Sequence, residues 1–181
     1  TAVELTAEIT AGNEKATVKI NVKVAALSRI SVAEALLLCD APEKPMIFVE
    51  GKLIALDVDG YGFVADETGV IYVRTKFEGF KVGDTVKVIG TATVYANKQY
   101  TRQVGDATIT ATDTVVKDLQ PVVISYEDLA ACEDNAQVIA NRFSGKLVTI
   151  TGYVSIRGNY KNAFIASAND GESYALGCWY K

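Results

Sequence analysis

The fold is decided by the stretch Gly60-Tyr61-Gly62-Phe63-Val64-Ala65-Asp66-Glu67-Thr68-Gly69-Val70-Ile71-Tyr72-Val73. Two runs rich in β-branched and aromatic residues lie on either side of an Asp-Glu-Thr-Gly turn, and this arrangement is typical of paired strands. Glycines frame both runs, as expected where a chain turns tightly between strands. The stretch therefore predicts two consecutive strands joined by a short turn.

Further strand-like segments lie on both sides of this stretch: Met46 to Asp57 before it, and Thr85 to Tyr95 and Gln99 to Ala111 after it. Glycine-bearing turns separate them, so the region holds five strands in about 70 residues. Such spacing favours a small barrel or sandwich. The whole composition agrees, because 49% of the 181 residues are hydrophobic and Val, Ile and Thr together supply 51 of them. We therefore expect a mainly all-β globular protein.

The chain before the five strands contains a hairpin and a helix. The segments Val3 to Ile9 and Ala16 to Val24 alternate around Ala11-Gly12-Asn13-Glu14, which predicts a β-hairpin. Ser31-Val32-Ala33-Glu34 fits the capping box that begins a helix, and Pro42 and Pro45 end it. A short helix is thus predicted immediately before the first strand of the five.

An internal repeat begins after Pro121. Ser125-Tyr126-Glu127-Asp128 repeats the capping pattern, and Cys132 follows it as Cys39 follows the first helix. Later matches pair Val49–Leu53 with Ile150–Val154, Phe63 with Phe164, and Gly69–Tyr72 with Gly171–Tyr174. We divide the chain into an N-terminal hairpin or tail of a preceding sandwich domain (1–27), a first domain (28–115) and a partial second copy (116–181).

The second copy reaches Lys181 after only its third strand. Either the chain is a fragment, or another segment completes the copy. The N-terminal hairpin is one candidate, in cis or from a neighbouring molecule, because an open sheet edge invites pairing. The alternative is that the hairpin belongs to a preceding domain of a longer chain.

Charge and residue usage exclude several classes of function. Eighteen basic against twenty-two acidic residues give a net charge of −4, which argues against a dedicated duplex-DNA binder. The chain has no histidine, so imidazole metal sites and Ser-His or Cys-His nucleophile pairs are absent. We therefore expect no enzymatic activity, no metal and no cofactor. The first residues do not form a basic start followed by an apolar block, so no signal peptide is predicted. No run of 18 apolar residues occurs, so no membrane span is predicted.

Two candidate metal or redox groups are set aside on spacing. Asp57, Asp59 and Asp66 do not fit a calcium loop, because Gly60 arrives too early, and a solvated turn is the favoured interpretation. The three cysteines, Cys39, Cys132 and Cys178, are odd in number and far apart, so they predict buried thiols.

Basic and aromatic residues cluster in two acid-free stretches. In residues 141–167 we expect Val148, Ile150, Val154 and Ile156 to face the core, with Thr149, Thr151, Tyr153, Ser155 and Arg157 outward. Aromatic rings beside basic side chains form stacking platforms with phosphate contacts. The predicted ligand-binding residues are Tyr153, Arg157, Tyr160 and Lys161 in the second copy, and Tyr95, Lys98, Tyr100 and Arg102 in the first. The alternative is that they are solvated side chains covering a barrel.

Three phrases resemble the OB-fold family: Gly51 inside the first strand, the Asp66-Glu67-Thr68-Gly69-Val70-Ile71-Tyr72-Val73 turn and strand, and Val82-Gly83-Asp84-Thr85-Val86-Lys87-Val88-Ile89-Gly90. The resemblance implies a five-stranded barrel whose first strand bends at Gly51. It also implies binding of single-stranded nucleic acid or oligosaccharide across strands 2 and 3. It is closest to modules of secreted proteins and lipoproteins of Bacteroidetes, which implies an extracytoplasmic location and neighbouring domains.

These observations predict a non-catalytic binding module. An aromatic and basic face of the barrel would contact single-stranded nucleic acid or another extended polyanion. The alternative is a structural or carbohydrate-contacting module of a larger cell-surface protein, which the negative net charge and the acidic turn at Asp57 and Asp59 favour.

Overall fold

A computed structural model of the protein describes residues 2–23, 26–97, 101–132, 135–156, 163–166 and 175–178. Strands dominate the described part. They are β1 (Ala2–Ala11), β2 (Glu14–Lys23), β3 (Met46–Leu56), β4 (Tyr61–Asp66), β5 (Gly69–Lys76), β6 (Thr85–Val94), β7 (Arg102–Ala111), β8 (Val122–Ile124), β9 (Val148–Ile150), β10 (Tyr153–Ile156), β11 (Ala163–Ala166) and β12 (Ala175–Cys178). The α-helices there are α1 (Val32–Leu38), α2 (Tyr126–Ala130) and α3 (Ala136–Phe143).

Strands β3 to β7 form a closed five-stranded barrel in the order β3-β4-β5-β7-β6. The first strand, β3, pairs antiparallel with both β4 and β6, and this second pairing closes the barrel. The third and fifth strands, β5 and β7, run parallel. Closure removes the free edges of the sheet. The predicted OB-fold barrel is confirmed, and its strands begin and end close to where the sequence pattern places them.

The barrel interior is filled by β-branched and aliphatic side chains. Buried and partly exposed residues alternate along β6, as expected for a strand with one face toward a core. Helix α1 covers one end of the barrel through Val32, Ala35 and Cys39. The fully buried core side chains include Val49, Leu53, Val64, Ile71, Val73, Val86, Val88 and Val104.

Gly51 marks the closest approach of two strands. A Cβ at this position would lie 2.5 Å from Val64 Cγ1 and 2.7 Å from the carbonyl oxygen of Ala65. The residue is therefore required because the backbone of β4 passes directly over it. A register shift follows in β3 between Leu53 and Ala55, so the bend of this strand has a bulge as well as a glycine.

The predicted capping box starts α1 and fixes it to the barrel. Ser31 Oγ accepts the amide hydrogen of Glu34, and the Glu34 carboxylate accepts from the Ser31 backbone at 2.8 Å. Two further amides of the first turn are bonded from the β4–β5 turn. Val32 N donates to Asp66 Oδ2 at 2.9 Å and Ala33 N donates to Thr68 Oγ1 at 3.0 Å. Amides at the start of α1 that have no partner within the helix are thus hydrogen-bonded by the β4–β5 hairpin, which the stretch from Gly60 to Val73 encodes.

The N-terminal hairpin is confirmed, with β1 and β2 paired along their whole length around Gly12 and Asn13. One face carries Ile9, Val18 and Ile20, each 43–57% exposed. Within the described residues, β1 and β2 pair only with each other, and β10–β12 form a separate sheet. The hairpin therefore adds no strand to the second repeat inside this part of the chain.

The second copy repeats the pairing of the first. Before α1, Arg29 forms a parallel bridge with Phe48, and before α2, Val123 pairs in parallel with Thr149. Leu53 pairs with Val64 in the barrel, and Val154 pairs with Ile165 in the copy. Leu53 and Val154 are matched in the sequence repeat, and the other pairs continue its offsets. The partial OB-like repeat is therefore visible in its strand register as well as in its sequence.

The second copy also differs from the prediction. Val148, expected in the core, is 36% exposed, because β9 ends at Ile150 and, among the described strands, pairs only with the short β8. The sequence pattern did not reveal α3, which Asn135 caps by accepting from the amides of Gln137 and Val138. The segment 171–174, which the sequence repeat matches to Gly69–Tyr72, lies outside the described residues.

The thiols of Cys39 and Cys132 are buried and free, as predicted. The Cys39 thiol lies 3.5 Å from the carbonyl oxygen of Gln103, and burial raises its pKa. The side chain of Cys178 lies outside the described part of the structure. No helix in the part that the structure describes is long and apolar enough to cross a membrane.

Candidate functional site: a groove on the barrel

A groove of about 990 Å³ lies on the outer face of β4 and β5. The turn after β3 borders one side, and the connection between β6 and β7 borders another. This is the place where OB-fold barrels bind extended ligands. The residues that line it are Leu36, Ala55, Leu56, Asp57, Asp59, Tyr61, Phe63, Val70, Tyr72, Arg74, Tyr95, Thr101, Arg102, Gln103, Ser144, Gly145 and Lys146.

Three rings form an aromatic row (Tyr61, Phe63 and Tyr72) along the groove. Tyr61 and Phe63 alternate on β4 with residues that point into the barrel, and Tyr72 does so on β5. The Phe63 and Tyr72 rings are 5.0 Å apart and tilted by 46°, and Tyr61 meets Tyr72 edge-on at 6.3 Å. Phe63 is 36% exposed, so the row offers ring surface to solvent.

Asp57 fixes the row from one end. Its Oδ2 accepts a hydrogen bond of 2.6 Å from the Tyr72 hydroxyl, and its Oδ1 accepts from the amides of Asp59 and Tyr61 at 2.9 Å. Burial and this hydrogen bond both raise the pKa of Tyr72, so the hydroxyl stays protonated and continues to donate. Because the Asp57 carboxylate already accepts three hydrogen bonds, it serves the turn and the ring and is poorly placed as a cation ligand.

On another side of the groove, an arginine guanidinium lies over a tyrosine ring. Arg74, on β5, places its guanidinium carbon 4.7 Å from the centroid of Tyr95, which follows β6. The Tyr95 backbone is bonded to Thr101: Tyr95 N donates to Thr101 O at 3.1 Å, and Thr101 Oγ1 donates to Tyr95 O at 2.8 Å. The Tyr95 backbone is thus fixed by Thr101, and Arg74 lies against its exposed ring.

The charges around the groove are mixed. Arg102 is engaged by Asp40 in a two-pronged ion pair, with Nη2 2.7 Å from Oδ2, so its charge is largely compensated. Lys146 comes from the second repeat. Asp59 is the exposed acid at the rim. The lining therefore holds three basic and two acidic side chains, a slight positive excess on a protein of net charge −4.

Two of the residues predicted from sequence, Tyr95 and Arg102, line this groove. Tyr153 is exposed, as predicted, but it is not part of the groove lining. It occupies the position that matches Lys52 of the barrel, on the first strand of the repeat. The other predicted residues, Lys98, Tyr100, Arg157, Tyr160 and Lys161, lie outside the described part of the chain.

The aromatic row and Arg74 were missed as site residues. A usable signal was present, because Tyr61 and Phe63 alternate with Gly62 and Val64, as outward residues of a strand do. They lie outside the acid-free basic stretches, because Asp57, Asp59 and Asp66 are close by in sequence. In the fold Asp66 points away to α1, where its carboxylate accepts hydrogen bonds from Thr68, Gly69 and Val32.

Comparison of the sequence with models of known protein families and with curated proteins finds no match. The site is therefore judged on its own chemistry. No group of three or more Cys, Asp or Glu side chains suited to a metal ion occurs among the residues that the structure describes. What the groove offers is ring faces for stacking, the cationic side chains of Arg74 and Lys146 beside the paired Arg102, and carboxylate oxygens from Asp57 and Asp59.

Proposed function

We propose that the protein is a non-catalytic binding module whose groove takes single-stranded nucleic acid. The observation that carries the proposal is the aromatic row on β4 and β5, flanked by Arg74 over Tyr95. Every base has a π-face, so exposed rings on a rigid sheet bind successive bases with little regard to sequence. Arg74 and Lys146 supply the charge that phosphates need.

The rigid scaffold supports this proposal. The rings stand on two strands of a closed barrel, and Tyr72 is fixed by Asp57 and by both neighbouring rings. A site on strands keeps its geometry without a ligand, which lowers the ordering cost of binding. A location outside the cytoplasm, within a longer protein, remains part of the proposal on the sequence resemblance alone.

A neutral oligosaccharide is the second candidate. The negative charges of Asp57 and Asp59 at one end of the groove favour it because they repel phosphates, and the exposed Asp59 carboxylate can accept hydrogen bonds from sugar hydroxyls. Pairing of Arg102 with Asp40 also reduces the positive charge available. Salt separates the two candidates, since phosphate contacts weaken as salt rises and neutral sugar contacts do not.

The test is fluorescence anisotropy of a labelled mixed-sequence single-stranded oligonucleotide at several salt concentrations. We expect binding that weakens as salt rises. Arg74→Gln should lower the slope of log K against log salt by about 0.7, the value for one phosphate contact on a single strand. Lys117→Gln is the matched control, because Lys117 is exposed, pairs with Glu67 and lies outside the groove. Salt-independent binding of a neutral glycan, with none of the oligonucleotide, would instead favour the second candidate.

A further inference from the structure

The turn between α3 and β9, residues Ser144–Lys146, lies against the barrel. Gly145 O accepts a hydrogen bond of 2.8 Å from Val70 N at the start of β5. The same carbonyl lies 3.0 Å from where a Cβ on Gly69 would be. The second repeat therefore contacts the strand that carries Tyr72 and Arg74.

Gly145 is the residue that permits this contact. Its φ of +76° belongs to the left-handed region that side chains disfavour. A Cβ here would also collide with Leu36 Cδ1, on α1 of the barrel domain. The backbone conformation thus favours glycine, and a larger residue would strain the turn and displace the Leu36 side chain against which it packs.

Lys146 follows directly and lines the groove beside the aromatic row. Its side chain is exposed. Among the described residues no carboxylate lies within ion-pair distance of its ammonium group, whereas Arg102 across the groove is paired with Asp40. Docking of the turn therefore brings an ammonium group without an ion-pair partner among the described residues to a groove in which Arg102 is already paired with Asp40.

We propose that the turn Ser144–Lys146 is a wall of the ligand groove, that Lys146 contacts a phosphate group of the bound strand, and that docking of the second repeat and ligand binding strengthen each other. This rests on the proposed function. The coupling is reciprocal, because a ligand that binds the docked form more tightly must favour docking by the same factor. The second repeat thus acts as part of the binding site, although no described residue of β10–β12 lines the groove.

The experiment combines two readouts on the full chain. Hydrogen exchange of the Val70 amide reports docking without any ligand, because that amide donates to Gly145 O. Anisotropy of the labelled single-stranded oligonucleotide reports binding. Gly145→Ala should speed Val70 exchange and weaken binding, each about tenfold. Gly12→Ala is the control, since Gly12 also has positive φ but no atom within 4 Å of its added Cβ.

Lys146→Gln separates charge from docking. It should leave Val70 exchange as in the parent, weaken binding about threefold to tenfold, and lower the salt slope. In the parent, added oligonucleotide should slow Val70 exchange. If the parent binds and both variants bind as tightly as the parent does, the inference is overturned while the proposed function stands. If the parent binds but Val70 is unprotected, the docked wall is wrong. If the parent does not bind, the proposed function itself fails.

Discussion

At the scale of single residues, Asp66 is a buried carboxylate with a structural task. It is 5% exposed, and its two oxygens accept hydrogen bonds from the amides of Val32, Thr68 and Gly69 and from the Thr68 hydroxyl. These bonds join the β4–β5 turn to the first turn of α1. A carboxylate that accepts only from donors of its own chain needs no metal to explain its burial.

We predict that Asp66→Asn destabilises the protein by about 1–3 kcal/mol, because the new amide group would face an N–H donor and leave it unbonded. Urea unfolding measures the change. Glu67→Gln is the neighbouring control, since Glu67 is exposed and pairs only at the surface with Lys117, where such pairs contribute about 0–1 kcal/mol. Equal effects of the two substitutions would contradict the role given to Asp66.

Tyr72 gives a prediction on pH. Its pKa is raised above the usual tyrosine value of about 10 by burial, with the hydrogen bond to Asp57 adding to the rise. The folded state therefore holds the proton more tightly than the unfolded state does. This contribution to stability is complete below pH 10 and is lost as pH rises toward the folded pKa. Tyr72→Phe should flatten the fall in unfolding free energy above pH 10, measured by urea titration in alkaline buffers. An unchanged alkaline profile would argue against the Tyr72–Asp57 bond.

At the scale of elements, the barrel depends on the close crossing of β3 and β4. Gly51 lies where an added methyl group would meet Val64 Cγ1 at 2.5 Å and Ala65 O at 2.7 Å. The second contact is with backbone, which cannot turn aside as a side chain can. The crossing brings the first strand close to the one that carries Tyr61 and Phe63. The shape of the groove floor is therefore linked to this single glycine.

Gly51→Ala should destabilise the barrel by about 1–3 kcal/mol, the usual cost of overpacking. Gly105→Ala is the matched control, because the added methyl group there would have only an ordinary contact of 3.7 Å with Thr93 Cγ2. Thermal or urea unfolding of both variants makes the comparison. A Gly51 variant as stable as the Gly105 variant would mean that the strands do not cross as closely as described.

Sequence patterns predicted the elements of the barrel well and the site less well. Strands β3 to β7 alternate and end at glycines or turn residues, and the capping boxes at Ser31 and Ser125 mark helix starts locally. Helix α3 was missed because its cap, Asn135, has no acidic partner three residues later. The groove was only partly predicted, since it joins β4, β5, the β6–β7 connection and the distant Gly145 turn. Such convergence depends on long-range packing, which short spacings do not encode.

At the scale of the whole molecule, two related units contribute unequally. The first is a closed barrel with a rigid groove. In the second, the described strands form a small parallel pair and a separate three-stranded sheet. The repeat alignment assigns Tyr153 a place on the first strand of its sheet, whereas the aromatic row lies on the second and third strands of the barrel. We therefore propose that the ligand binds to the barrel and that the second repeat supplies a supporting contact.

One measurement tests that assignment most directly: the affinity of a labelled single-stranded oligonucleotide, by anisotropy at low salt, for the variants Tyr95→Ala and Tyr153→Ala. The two tyrosines are 51% and 53% exposed, so the same substitution removes a similar ring surface from each repeat. Stacking on one ring contributes about 1–3 kcal/mol. We predict that Tyr95→Ala weakens binding about tenfold or more while Tyr153→Ala binds as the parent does. Loss of binding in Tyr153→Ala, with Tyr95→Ala unaffected, would place the site on the second repeat and contradict the account.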